Sequence, residues 1–285
     1  MKVGRICPFP KRQAPSSVTV VVWKNFLSEH SLSKRIQPFS FTDRTVLVTG
    51  ASSGIGRETA VVLSEFGCRV ILTGRRTEQL EATRGLMTEG NHAVEPFDLT
   101  DLDSIPEWVK NPARQYGPLD GFVHSAGVQK TIGLRGLSVE LLHQIFRINL
   151  DSAVMLAKGF RQKGCCRATS SIVFVSSISA LVGLTATAAY AASKAALIGL
   201  ARSLAIELAR EGIRVNCIAP GMVQSEMTDQ IRLALTDEQF AAIVAQHPLG
   251  LGTTWDVACA AAYLLSDAAR WMTGQVLVLD GGFSS

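Results

Sequence analysis

No apolar run in the 285-residue chain reaches the roughly 18 to 20 residues that a membrane-spanning helix requires, so no membrane partner is expected. Charge is also scarce: charged residues make up 18% of the sequence against 47% hydrophobic, which excludes a disordered chain and points to a globular one. The six cysteines (Cys7, Cys68, Cys165, Cys166, Cys217 and Cys259) follow neither a metal-ligand spacing nor a disulfide framework. Reduced thiols in a cytoplasmic protein are therefore expected, and no metal site. Internal repeats and a second domain are absent from the pattern.

Basic excess is missing from most of the chain. Residues 1–40 carry seven Lys or Arg and one acid, a charge of +6, whereas the whole chain is only +4. The remainder is therefore slightly acidic, and nucleic acid is not an expected partner. Residues 1–40, with Pro8, Pro10 and Pro15 among basic and Ser residues, read as a flexible, dispensable extension. A targeting peptide is the second reading of that segment. Residues 41–285 read as the folded domain.

What is present is an alternation of short apolar runs with longer helical patterns. Strands are predicted at Val46–Thr49, Val70–Thr73, Ala93–Phe97, Phe122–His124, Ile172–Ser176, Val215–Ile218 and Val276–Leu279. Helical patterns cover Ile55–Phe66, Glu78–Glu89, Val139–Phe160, Ala191–Arg210 and Asp256–Leu265. Continuously apolar strands separated by helices predict an α/β fold, a parallel sheet covered on both faces. Ligands of such sheets bind beyond the carboxyl ends of the strands.

The first predicted strand runs into a glycine-rich turn, Gly50, Ala51, Ser52, Ser53, Gly54, Ile55 and Gly56, followed by a helix. Glycines there let backbone N–H groups approach a pyrophosphate at the helix N-terminus. After the second strand, where an acid would bind the ribose of NAD(H), the chain reads Gly74-Arg75-Arg76. Arg75 can pair with a 2′-phosphate, with Arg76 as helper, so NADP(H) is expected over NAD(H). Asp98 is a candidate for the adenine amino group, or else a cap of the next helix.

Tyr190 and Lys194, four positions apart in a helical pattern, share a face and can act on one ligand. A cation about 4 Å from a phenol is worth roughly 4 kcal/mol at an effective dielectric near 20, enough to lower its pKa by about three units. Ser177, just past a predicted strand, can bond the same carbonyl oxygen. Asn149 interrupts a helical stretch, where a distorted turn can hold water.

Taken together these residues resemble the short-chain dehydrogenase/reductase family over residues 42–283. The closing Thr273-Gly274-Gln275 and Asp280-Gly281-Gly282 stretches belong to the resemblance. It implies one Rossmann-like, doubly wound domain with a seven-stranded parallel sheet, assembled as a homodimer or homotetramer. It implies Tyr190 as acid/base and Lys194 as partner of the nicotinamide ribose that also lowers the tyrosine pKa. It further implies Ser177 orienting the substrate oxygen, Asn149 holding a relay water, and Ala126, Gly127, Pro220 and Gly221 lining the cofactor groove. Two departures stand out. His124-Ser125 replaces an Asn-Asn pair, and Pro248-Leu249-Gly250-Leu251-Gly252 lacks an arginine often found between such glycines.

For the substrate, 3-oxoacyl carrier-protein reductases look closest, with secondary alcohol or sugar dehydrogenases as the alternative. A segment rich in Met222, Val223, Met227, Ile231, Leu233, Leu235 and Phe240 reads as a lid over a partly apolar small molecule. Arg167 and Arg210 are the candidates for carrier-protein docking. A non-catalytic cofactor sensor is the reading from another class, and it conflicts with the retained Ser177, Tyr190 and Lys194.

Overall fold

Runs of β-branched and other apolar residues form β1 (Thr45–Thr49), β2 (Arg69–Thr73), β3 (Ala93–Val94), β4 (Leu119–His124), β5 (Cys166–Val175) and β6 (Arg214–Pro220). A two-stranded ribbon of β7 (Val223–Gln224) and β8 (Gly252–Thr253) precedes β9 (Val276–Leu279). In the computed structural model, which describes residues 39–233 and 235–285, seven strands pair in parallel in the order β3-β2-β1-β4-β5-β6-β9. The extension expected over residues 1–40 lies outside the described residues apart from Phe39 and Ser40.

The helices are α1 (Gly54–Glu65), α2 (Thr77–Arg84), α3 (Ile105–Trp108), α4 (Lys110–Tyr116), α5 (Val139–Phe146) and α6 (Ser152–Phe160). They continue with α7 (Ala188–Leu208), α8 (Glu226–Arg232), α9 (Asp237–Ala245) and α10 (Thr254–Leu265). Alternate strand residues point to opposite faces. Val46, Val48, Val70 and Leu72 meet Leu63 of α1 and Val257 of α10 in one core layer. Leu47, Ile71, Phe122 and Phe174 meet Phe160 of α6 and Leu197 of α7 in the other. Both faces are thus dry, which is why the strands carry no polar alternation.

Four departures from the predicted elements have local causes. Hydrogen bonds from Glu95 and Phe97 continue alongside β2, although the regular strand ends at Val94, and Pro96 between them turns its missing N–H toward the open edge of the sheet. Gly85 stops α2 well before Glu89. The helix predicted over Val139–Phe160 is split by a π-helical turn at Arg147–Asp151. β5 begins six residues earlier than predicted, at Cys166, through polar and exposed residues. The strand order reverses between β1 and β4, so a crevice opens beyond their carboxyl ends.

Candidate active site

Between β1 and α1 the backbone crowds itself so closely that side chains are excluded. A Cβ on Gly56 would lie 2.3 Å from the Gly50 carbonyl oxygen, and one on Gly50, at φ +66°, would lie 2.9 Å from Ala126 N. The first turn of α1 contains no acid, and its N-cap Ser53 makes no side-chain hydrogen bond. Those features fit a phosphate group received on the amides of the α1 N-terminus, the part of the cradle that a dinucleotide would occupy.

At the end of β2, Arg76 Nη2 donates to Ser52 Oγ at 3.1 Å, so this arginine is tied to the glycine turn. Arg75 is exposed at the rim. Asp98 accepts from the Thr100 amide at 3.0 Å and its hydroxyl at 2.9 Å. Those bonds, with a smaller pull from Arg75, hold its carboxyl below the ordinary carboxylate range. Asp98 therefore shapes a local turn while facing the crevice.

Beyond β5, Ser177 caps a short 3-10 turn, and its Oγ accepts from Ser179 Oγ at 2.9 Å. Tyr190 and Lys194 both lie on α7, buried. Burial pushes the Tyr190 phenol up to about 12, and a hydrogen bond with Ser177 works in the opposite direction. Lys194 Nζ donates to the Val175 carbonyl at 2.8 Å and stands 5.8 Å from the Tyr190 ring centroid. Burial brings its ammonium down to about 8. The expected lowering of the phenol by Lys194 does not appear in this arrangement, where burial raises it and the ammonium is directed at the Val175 carbonyl.

Asn149 sits in the π-turn, fully buried. Its Oδ1 accepts from Val128 N at 2.8 Å, and its Nδ2 donates to Val128 O at 3.0 Å and Ser193 Oγ at 2.9 Å. The side chain braces the Val128 loop rather than reaching the crevice. His124 is buried beside it, and desolvation pulls its pKa down to about 3. Ser152 Oγ already donates to Ile148 O, so His124 Nε2 donates to Ser152 at 3.4 Å and Nδ1 accepts from Thr49 Oγ1 at 3.1 Å. The histidine is a neutral internal bridge.

One cleft of about 850 Å³ brings together Gly50, Ser52, Ser53, Gly54, Ile55, Arg75, Asp98, Ala126, Gly127, Ser177, Tyr190, Lys194, Pro220 and Gly221. Gly56 and Asn149 stand behind its wall. Of the predicted lid residues, Met222, Val223, Met227, Ile231 and Leu235 face the cleft. Leu233 is 87% exposed, and Phe240 instead carries the Arg232 guanidinium 4.5 Å from its ring centroid. Ser179, Glu226 and His247 also line the cleft and were not singled out from the sequence. Only the acid in a helical first turn gave any local signal for Glu226. Among the described residues, no cluster of His, Cys, Asp or Glu is arranged to hold a metal ion, and no helix is long and apolar enough to cross a membrane.

A family described as enoyl-(acyl carrier protein) reductase matches residues 50–284. The 3-oxoacyl-(acyl-carrier-protein) reductase FabG of Rickettsia conorii is 37% identical over 243 residues, covering 85% of this chain and 97% of that protein. The cis-4-hydroxycyclohexanecarboxylate dehydrogenase of Sinomonas cyclohexanicum is 33% identical over 249 residues, covering 86% and 98%. Among solved structures, a Beutenbergia cavernae protein described as an NAD(P)-dependent gluconate 5-dehydrogenase, with bound NADP, superposes with TM-score 0.78 at 35% identity. That match covers 86% of this chain and 98% of the other.

Proposed function

Because the chain belongs to the short-chain dehydrogenase/reductase family, and is an NAD(P)-dependent oxidoreductase of the ketone/alcohol class, we propose that it uses NADP(H) to reduce an uncharged, partly apolar ketone. The observation that carries this reading is that Tyr190 and Ser177, near enough for the serine to influence the phenol, both line the cleft where the glycine cradle opens into an apolar chamber. Two hydroxyls converging there suit a single substrate oxygen, which favours a carbonyl over an isolated carbon–carbon double bond. The reduced nicotinamide supplies the hydride when bound. Ser177 then holds the substrate oxygen, and Tyr190 gives it a proton. A phenol raised by burial stays protonated at neutral pH and is loaded for the reductive direction. Lys194 serves the nicotinamide ribose, and Asn149 acts through the Val128 loop and the π-turn.

The chamber is walled by Leu184, Met222, Met227, Ile231, Ile243 and Phe283, with Gln246 and His247 as polar groups. Apart from Lys194, assigned to the nicotinamide ribose, and Arg75 and Arg76 at the rim, the described residues lining the cleft offer a substrate carboxylate no Arg or Lys partner, so its desolvation there is costly. Ketones with an apolar flank fit better, and 3-oxoacyl thioesters fall within that class. Arg167 pairs with Asp120 at 3.5 Å beside the amino end of β5, and Arg210 precedes the amino end of β6. Both lie at the end of the sheet opposite the cleft, so neither supports carrier-protein docking. The expected setting is a cytoplasmic homodimer or homotetramer, and the high exposure of Ile206 and Leu249 is in keeping with further association.

The cofactor preference rests on Arg75 at the rim, with Arg76 bonded to Ser52. An exposed arginine–phosphate pair should give NADPH roughly a tenfold affinity advantage over NADH. Arg75→Asp should reverse the order, since it removes the phosphate's partner and offers an acceptor to a free 2′-hydroxyl. Fluorescence titration of both proteins with both nucleotides checks this. Equal wild-type affinities would refute the preference.

A further inference from the structure

Glu226, the first residue of α8, reaches across the cleft to the glycine turn. Its Oε1 lies 3.2 Å from Arg57 Nη1, and its Oε2 lies 3.5 Å from the position a Cβ on Gly54 would take. Arg57 is held independently, since Nη2 donates to Ser52 O at 2.7 Å, and its buried Nε has no hydrogen-bond partner. A fixed cation with a donor to spare therefore stands in the first turn of α1, whose N-terminal end already favours an anion. That place adjoins the phosphate cradle, and a side-chain carboxylate is paired with the cation at its edge.

We propose that Glu226 acts as an internal stand-in for the dinucleotide's pyrophosphate, latching α8 to the glycine turn until the cofactor displaces it. A pyrophosphate and a carboxylate a few ångströms apart repel in this partly desolvated setting, so Arg57 and the α1 amides serve one or the other. The Glu226 side chain is 52% exposed and attached to a helix of only seven residues, so it can swing outward without disturbing the core. The latch sets dinucleotide affinity from outside the catalytic group. It also couples entry of the cofactor to release of the segment that walls the substrate chamber, because Met227 and Ile231 ride on the same helix.

The proposal rests on the reading of this cradle as a dinucleotide site. Dissociation constants for NADPH and NADH, measured by nucleotide fluorescence on wild type, Glu226→Gln and Glu226→Ala, test it. Both variants should bind each nucleotide about tenfold more tightly than wild type. The factor should be the same for the two nucleotides, because the pyrophosphate is common to them. It should shrink as salt is raised, because a half-exposed charge is screened. Unchanged or weaker binding in the two variants would overturn the latch alone. So would a gain confined to NADPH, which would place the effect at the 2′-phosphate. Wild type that binds neither nucleotide would sink the cofactor reading and the latch with it.

Discussion

Lys194 carries an ammonium into a buried position on the cleft wall with the Val175 carbonyl as its acceptor, and the fold loses stability by keeping it charged there. Its folded pKa, about 8, lies below the ordinary 10.5. Between those values the unfolded chain binds the extra proton, so stability rises with pH through that window, and below about pH 8 the full penalty is present. Lys194→Met keeps the stem and removes the charge. At pH 7 the variant should be more stable than wild type by about 2 kcal/mol, the desolvation relief less the lost hydrogen bond. That gain should fade toward pH 10.5, while turnover and dinucleotide affinity fall. Urea denaturation at pH 7 and at the alkaline end reads the difference, and a variant less stable at neutral pH would contradict it. His124 shows the opposite solution: it is buried neutral, every ring nitrogen satisfied, and it needs no charged partner.

The glycine turn and α1 form the element most fully written in the local sequence. Gly56 has no room for a side chain, because the Gly50 carbonyl that would meet a Cβ at 2.3 Å is backbone and cannot turn aside. Gly56→Ala should cost about 3 kcal/mol through forced displacement of α1, and dinucleotide binding should go with it. A variant with the wild-type unfolding midpoint would show that the turn yields. The spacing of Gly50, Gly54 and Gly56 between a strand and a helix made this element readable, and Tyr190 and Lys194, one helical turn apart, did the same for α7. The π-turn at Asn149 showed in sequence only as an interruption, because its shape depends on Val128 and Ser193, far along the chain. Glu226 showed in sequence only as an acid opening a helix, because its partner Arg57 lies 169 residues away. The phenol's raised pKa was equally out of reach, since burial cannot be counted from spacing.

At the scale of the molecule, the parallel sheet gathers its chemistry at one end. The turns after β1, β2, β4, β5 and β6 supply the cradle, the rim arginines, the Ala126-Gly127 wall, Ser177 and Pro220-Gly221, while α7 slides Tyr190 and Lys194 beneath them. The reversal of strand order between β1 and β4 leaves that end open, and the segment from Met222 onward lines it with apolar side chains. Arg167 and Arg210 are at the other end, beside the amino termini of β5 and β6. The central claim joins the two halves of the cleft: a hydride enters from the cradle side, and Tyr190 completes the alcohol from the α7 side. It is tested by incubating wild type and Tyr190→Phe with NADPH deuterated at its transferable hydride and a panel of apolar and carboxylate-bearing ketones. Wild type should place deuterium on the carbinol carbon of apolar products, and Tyr190→Phe should lose at least about a hundredfold in turnover while binding NADPH as before. Label transfer by Tyr190→Phe at the wild-type rate, or wild-type turnover confined to carboxylate-bearing ketones, would contradict the account.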